Sequence, residues 1–505
     1  MLRILGSTKR ACDGLSRRDL LQVGASSILG HGAADLIPGG SPAARANEAP
    51  KSLGFGQAKA CIILYLYGAP SQLETYDPKP DAPVEIRGTF NSISTRLGDL
   101  RICEHLPKLA GVLDRATVVR SMTHPYNIHS AAYTLSGVPH VDVPMELNPF
   151  DQRHWPYIGS VLEYLEGRDP ATAPRSEVPR NLAMPFRFSQ NCGEFRRAGP
   201  YGGFLGPSYD PVWTEFECEP TRTIGRWRGG AYQPVKDPFA GIADDGRFQL
   251  SAAAQLPPGI TLDRLETRRS LLEQFDDARR GLDSSQVSGP AVAARERFRE
   301  MAFSLVGSET IRGALDISRE PQPLREAYGM NLFGQATLAA RRMIEAGSRL
   351  VTVFWDEIGT ANSAWDTHFD HYDRLKLELL PGLDAAFTSL VTDLEQRGML
   401  DSTLVACISE HGRTPKLDDA QGGGRGHWSR AYGGLFAGGG IARGRVVGRT
   451  DKYAGDVVET PISPKDVLST IYHQLGVDPD QMIADRLGRP LPLVSEGRVR
   501  RELLA

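Results

Sequence analysis

Residues 60–67 read Ala60-Cys61-Ile62-Ile63-Leu64-Tyr65-Leu66-Tyr67, and the run stops at Gly68-Ala69-Pro70. A continuous apolar stretch with no polar alternation predicts a strand buried on both faces. Ala116–Arg120, Arg349–Trp355 and Thr403–Ser409 repeat the pattern. Between them, apolar residues at helical spacing predict helices over His105–Leu113, Ser130–Leu135, Trp155–Leu165, Gln335–Ala346, Tyr372–Arg397 and Pro464–Leu475. Buried strands alternating with helices predict an α/β fold, a three-layer α/β/α sandwich with a central, mostly parallel sheet.

The interval from about Pro170 to Pro258 breaks this rhythm. It is rich in Pro, Gly, Arg and aromatic residues and reads as a long irregular insertion. Leu262–Leu282 and Val292–Phe303 follow with helix-like spacing, joined by a polar Ser284–Gly289 link, so the excursion spans about 170–310. Long excursions in α/β proteins commonly wall a site. No fixed-period repeat is visible.

The first residues predict export. Ser16-Arg17-Arg18-Asp19-Leu20-Leu21 is a twin-arginine pattern, the run to Leu29 is weakly apolar, and Ala44-Arg45-Ala46 fits a signal peptidase site. The expected organisation is a signal peptide over 1–46 and a single domain over 47–505, with a periplasmic or other extracytoplasmic destination. Later stretches fall short of the about 20 continuous apolar residues of a membrane span. Cys61 and Cys407 sit in strand patterns as buried thiols, whereas Cys192 and Cys218 lie in loop-rich sequence and could pair in an oxidising compartment.

Charge is nearly balanced, with 58 basic and 61 acidic residues among 505, which argues against a nucleic-acid or anionic-lipid partner. No GxSxG elbow, phosphate-binding P-loop, dinucleotide fingerprint or HExxH motif occurs. The chemistry-bearing residues stand instead where strands end, the edge at which parallel sheets bind ligands. The strand ending at Ser409 delivers Glu410 and His411 and then turns at Gly412; carboxylate oxygen and imidazole nitrogen suit zinc or manganese. Trp365-Asp366-Thr367-His368 follows the strand ending at Trp355 and places a second carboxylate and imidazole within reach of one ion. In Gly422-Gly423-Gly424-Arg425-Gly426-His427-Trp428, glycines permit close approach of backbone and His427 could complete a metal shell. Arg413 and Arg425 offer forked donors for phosphate, sulfate or carboxylate. Upstream, His124, Asn127, His129 and Ser130 precede a helix start, placed to hold an oxyanion or to attack one.

Taken in order, these segments resemble the bacterial domain-of-unknown-function 1501 family of the alkaline phosphatase and sulfatase-like superfamily. The likeness runs through Gly68–Pro80, Ala82–Gly88, Glu104–Pro107, Arg120–His124 and His154–Pro156. It continues through Tyr328-Gly329, Phe333–Gln335, Trp365–His368, His411–Pro415, Gly426–Trp428, Ala437–Gly440, Thr450–Lys452 and Pro464–Leu475. The resemblance implies Asp366, His368 and His427 in one metal site, and Glu410 and His411 in a second. Two metals can clamp the attacking and leaving oxygens of an ester. The chain departs from the superfamily at two places. Gly68-Ala69-Pro70 stands where an acidic ligand usually ends the first strand, leaving Glu74 or Asp77 as substitutes from a loop. Asn127 stands at the nucleophile position, leaving Ser130, His129 or water as the attacking group.

Two functions remain open at this level. One is an exported hydrolase of phosphate or sulfate esters that depends on zinc, manganese or calcium, with an anionic ester or sulfated glycan as substrate. The other is a non-catalytic envelope protein that binds anionic glycans or a partner through Arg187, Arg196, Arg197, Arg226 and Arg228. The sequence does not fix the oligomeric state.

Overall fold

The computed structural model describes residues 53–167, 178–192, 196–228, 231–250, 305 and 307–505. The signal-peptide segment and the helices expected at Leu262–Leu282 and Val292–Phe303 lie outside the described residues. Among the described residues, no helix is long and apolar enough to cross a membrane.

The opening run forms β1 (Ala60–Leu66), buried along its whole length. The other strands of the same sheet are β2 (Ala116–Met122), β3 (Asn181–Met184), β4 (Val212–Glu217), β5 (Arg247–Leu250), β6 (Leu350–Trp355), β7 (Thr403–Ile408), β8 (Tyr432–Ala437) and β9 (Arg445–Val447). Their spatial order is β9-β2-β8-β7-β1-β6-β3-β4-β5. The central run β7-β1-β6-β3-β4 is parallel, and β8 and β5 enter antiparallel.

Side chains of β1 alternate between two helical layers. Ile62, Leu64 and Leu66 pack with α3 (Leu332–Glu345) and α4 (Leu380–Gln396) through Phe333, Ala336, Leu383 and Phe387. Cys61, Ile63 and Tyr65 face α1 (Ala131–Leu135), α2 (Ile158–Glu166) and α5 (Pro464–Gln474) through Leu135, Val161, Leu468 and Ile471. Each large aliphatic side chain so buried contributes roughly 1.5–3 kcal/mol. The α/β/α sandwich is therefore the fold.

Several elements differ from the sequence-based expectation. The interval expected to be irregular supplies β3, β4 and β5, together with a hairpin of Thr223–Arg228 and Ala231–Lys236. These strands are short and carry polar residues, as in Val212-Trp213-Thr214-Glu215-Phe216-Glu217, so no continuous apolar run marks them. The helix expected over His105–Leu113 is only Pro107–Ala110 and ends at Gly111. The helical stretch from Tyr372 is widened to a π-type turn over Leu375–Leu379, just ahead of Pro381, whose nitrogen has no proton to donate. No disulfide joins Cys192 to Cys218.

Register decides where the site lies. Tyr65 pairs with Phe354 on β6 and with Ile408 on β7. The three central strands consequently release Gly68, Asp356 and Glu410 at the same edge.

Candidate metal centre at the carboxyl edge of the sheet

Beyond β7 the chain reverses, and Gly412-Arg413 pairs antiparallel with His427-Trp428, Arg413 opposite His427. This short pairing brings the His411 and His427 rings to 4.9 Å between centroids. The segment after β2 crosses the same edge. His124 Nε2 lies 2.6 Å from the Glu410 carbonyl oxygen, and Asn127 Nδ2 donates to the His427 carbonyl at 3.0 Å. These struts set the His129 ring 4.7 Å from that of His411 and 4.1 Å from that of His427. The loop after β6 is drawn in when Trp365 N–H donates to the Tyr67 carbonyl at 2.9 Å. Gly68 has φ +99°, and a Cβ there would stand 2.3 Å from the Asp366 nitrogen, so only glycine admits the approach. A Cβ on Gly424 would likewise meet the His368 carbonyl oxygen at 2.0 Å.

The result is a convergence of donors. His129 Nε2 lies 2.8 Å and His368 Nε2 3.0 Å from His427 Nε2. Asp366 Oδ2 is 3.3 Å from His129 Nε2, and its Oδ1 is 3.0 Å from His368 Nε2. The donors of His129, His411 and His427 fall within 4.8 Å of one another, as do those of Asp366, His368 and His427. Tautomers follow from the partners, because a carbonyl or an ionised carboxylate can only accept. His411 Nδ1–H donates to the Gly412 carbonyl at 2.8 Å, which leaves Nε2 as a lone pair, buried and without a hydrogen-bond partner. His129 Nδ1–H donates to Glu410 Oε1 at 2.7 Å, which turns its Nε2 toward His427. Facing lone pairs repel unless a proton or cation lies between them. Ligand atoms at about 2.0–2.2 Å from a tetrahedral ion stand roughly 3.3 Å apart, close to the spacings seen here. The residues therefore fit a divalent cation.

The charges around these donors favour a proton or a cation among them. Burial works against the charged form of Asp366, but Arg413 and His129 outweigh it and hold the carboxyl well below its usual range. Burial also opposes charge on His129, yet Asp366 and Glu410 prevail and push it up to about 10. His411 is driven well below its ordinary value by burial and by His129, Arg413 and His427. The side chains of His368 and His427 are 28% and 26% exposed, so the centre opens to solvent on their side.

Not every expected site residue joins the cluster. Glu410 Oε1 accepts from Gly68 N–H and His129 Nδ1–H, both at 2.7 Å, and Oε2 accepts from Ser409 Oγ at 3.2 Å. Glu410 orients His129 and stands outside both donor groups, contrary to the expected ligand role. Glu74 is likewise displaced from the expected role: Arg425 Nη2 holds its Oε1 at 2.5 Å and His371 Nε2 lies 3.2 Å from its Oε2. Burial raises Glu74, but Arg425 and His371 bring it down to about 2. Arg413, expected to meet substrate, is fully buried, donates to backbone carbonyls and forms an ion pair with Asp366. Ser130, expected as a nucleophile, caps α1 by accepting from Tyr133 N–H at 3.1 Å. Three of the arginines expected to bind anions have separate partners, and the Arg228 side chain lies outside the described residues. Arg226 is buried against Asp237 and Glu378, Arg197 pairs with Glu146, and Arg187 lies over the Tyr201 ring.

One contribution escaped the sequence. Arg374 donates to the carbonyls of Asn362, Ser363, Ala364 and Asp366 and so straps the loop that carries Asp366. Nothing distinguishes it in sequence from a surface arginine of a helix. Asp356, at the end of β6, accepts from Ser189 N–H at 2.6 Å and Glu357 N–H at 2.7 Å; burial pushes it up to about 8.

Among solved structures, the chain is similar to PsFucS1 sulfatase from Pseudoalteromonas sp., at 11% identity and TM-score 0.38, covering 89% of this chain and 72% of that one. It is similar to the phosphonate monoester hydrolase SpPMH from Silicibacter pomeroyi, at 14% identity and TM-score 0.33, covering 88% and 76%. It is also similar to Ps i-CgsB, at 9% identity and TM-score 0.35, covering 84% and 73%. With every score below 0.5, these likenesses carry no weight for function. No curated protein matches. The family described as "Protein of unknown function (DUF1501)" matches residues 58–504, and the chain belongs to that family.

Proposed function

We propose that the chain is an exported, metal-dependent hydrolase of phosphate or sulfate esters. The observation that carries this reading is the unpartnered, buried Nε2 of His411 facing the donors of His129 and His427, with Asp366 and His368 alongside. A nitrogen-rich set favours zinc over calcium, which takes six to eight oxygens. When bound, a divalent cation would polarise an ester oxygen and acidify water.

The chain's own residues do the rest. His129, His411, His427, Asp366 and His368 would hold the ion. Glu410 fixes the His129 tautomer so that Nε2 points inward. The hydroxyls of Ser130, Thr367 and Ser409 are already engaged, with Tyr133 N–H, His371 and Glu410 respectively. Water is therefore the attacking group, and the ester enters past His368 and His427, on the open side. An anionic ester, such as a sulfated glycan, complements a positive centre.

Export rests on the twin-arginine pattern and the Ala44-Arg45-Ala46 site. Recovery of secreted protein beginning at Asn47 would support it. For the activity, metal-depleted protein is assayed on aryl phosphates and aryl sulfates, then reloaded with zinc or manganese. Turnover that disappears and returns with the metal, and is missing in Asp366→Ala, is the expected result. A protein that retains no metal and cleaves neither ester refutes the proposal.

A further inference from the structure

Arg413 presents an unusual concentration of donors to one small region. Its side chain is fully buried. Nε donates to the Ala69 carbonyl at 2.9 Å, Nη1 to the Arg425 carbonyl at 3.3 Å, and Nη2 to the carbonyls of Gly68 and, at 3.4 Å, Trp365. Nη2 also pairs with Asp366 Oδ1. The guanidinium thus sits against the end of β1, where Gly68-Ala69-Pro70 provides carbonyl oxygens and no carboxylate. Asp366 stands between this fixed positive charge and the histidine nitrogens.

The carboxylates expected at a second metal ion are engaged by protein donors. Glu410 Oε1 holds two N–H groups, and Glu74 is shared by Arg425 and His371. Among the described residues, the two possible donor triads both require His427. Its Nε2, which faces His129 and His368 alike, has one lone pair and can bind one ion. A second dication would also lie close to the Arg413 guanidinium, whose positive charge would repel it.

We propose that the Arg413 guanidinium is a built-in second cation, which makes the centre mononuclear. It holds the end of β1 and one oxygen of Asp366 as a metal would, and leaves the histidine side for a single divalent ion. Arg413 is in this sense a positioning residue. The inference rests on the metal-centre reading above, and the test separates the two.

The full chain is stripped with chelator and dialysed to equilibrium against zinc chloride alone, with bound zinc counted per chain. One equivalent is the expected result. Two equivalents of comparable affinity overturn the inference while sparing the metal centre; none overturns both. Manganese loaded in place of zinc should give the paramagnetic spectrum of an isolated ion, and the spectrum of a coupled pair would contradict it. In Arg413→Ala, zinc affinity should fall by at least about tenfold. Millimolar guanidinium should recover it, and sodium chloride at equal ionic strength should not. Unchanged zinc affinity in that variant would overturn the role given to Arg413. The zinc count on the unaltered chain decides the issue even if the variant does not fold.

Discussion

Arg341, between α3 and α4, and the histidines at the carboxyl edge of the sheet are both buried polar clusters, but they differ in completeness. Arg341 places its guanidinium nitrogens 2.7 Å from Glu320, 2.6 Å from Glu345 and 2.9 Å from Asp393. Tyr328 and Arg397 donate to the same Asp393 at 2.9 and 2.7 Å. Every positive group there meets a carboxylate. At the sheet edge, imidazole nitrogens face one another and His411 Nε2 has no hydrogen-bond partner. Burial of charge thus marks stability in one region. In the other, unmatched acceptors mark a place for a ligand.

Four substitutions sharpen that contrast. Removing one partner of a buried ion pair costs about 3–5 kcal/mol. Arg341→Ala should therefore lower stability by that amount in urea unfolding while the remaining folded protein binds zinc normally. His427→Ala should reverse the pattern: zinc affinity falls by more than the about 100-fold that loss of an outer partner costs at most, and the urea midpoint moves little. If both variants lost stability alike, the contrast would be false. Glu410→Gln keeps shape but weakens the acceptor behind His129, so equilibrium dialysis should show zinc affinity reduced about 10- to 100-fold. Ser130→Ala removes a helix cap worth about 1 kcal/mol. Its ester turnover per folded molecule should stay at the wild-type value; abolished turnover would return Ser130 to the role of nucleophile.

The sequence made some of this legible and left the rest hidden, for physical reasons. β1, β6 and β7 are buried on both faces, so composition alone marks them, and the abrupt change at Glu410-His411 marks the edge. β8 escaped because Gly433 and Gly434 dilute its apolar character, and its pairing with β2 shifts register there. Asp366, His368, His411 and His427 were visible as metal-binding residue types after strands. The roles of Glu410, Arg413 and Glu74 were not, because a carboxylate or guanidinium can be ligand or strut. The choice depends on which donor stands within 3 Å, and that is set by loops far apart in the chain.

The central claim is that a divalent cation sits among His129, His411, His427, Asp366 and His368. A crystal of the full chain grown with zinc and measured on both sides of the zinc absorption edge tests it most directly. The account predicts one anomalous peak within about 2.0–2.3 Å of these donors, including the Nε2 of His411. Zinc found only at surface carboxylates, with the histidines still contacting one another, would contradict it.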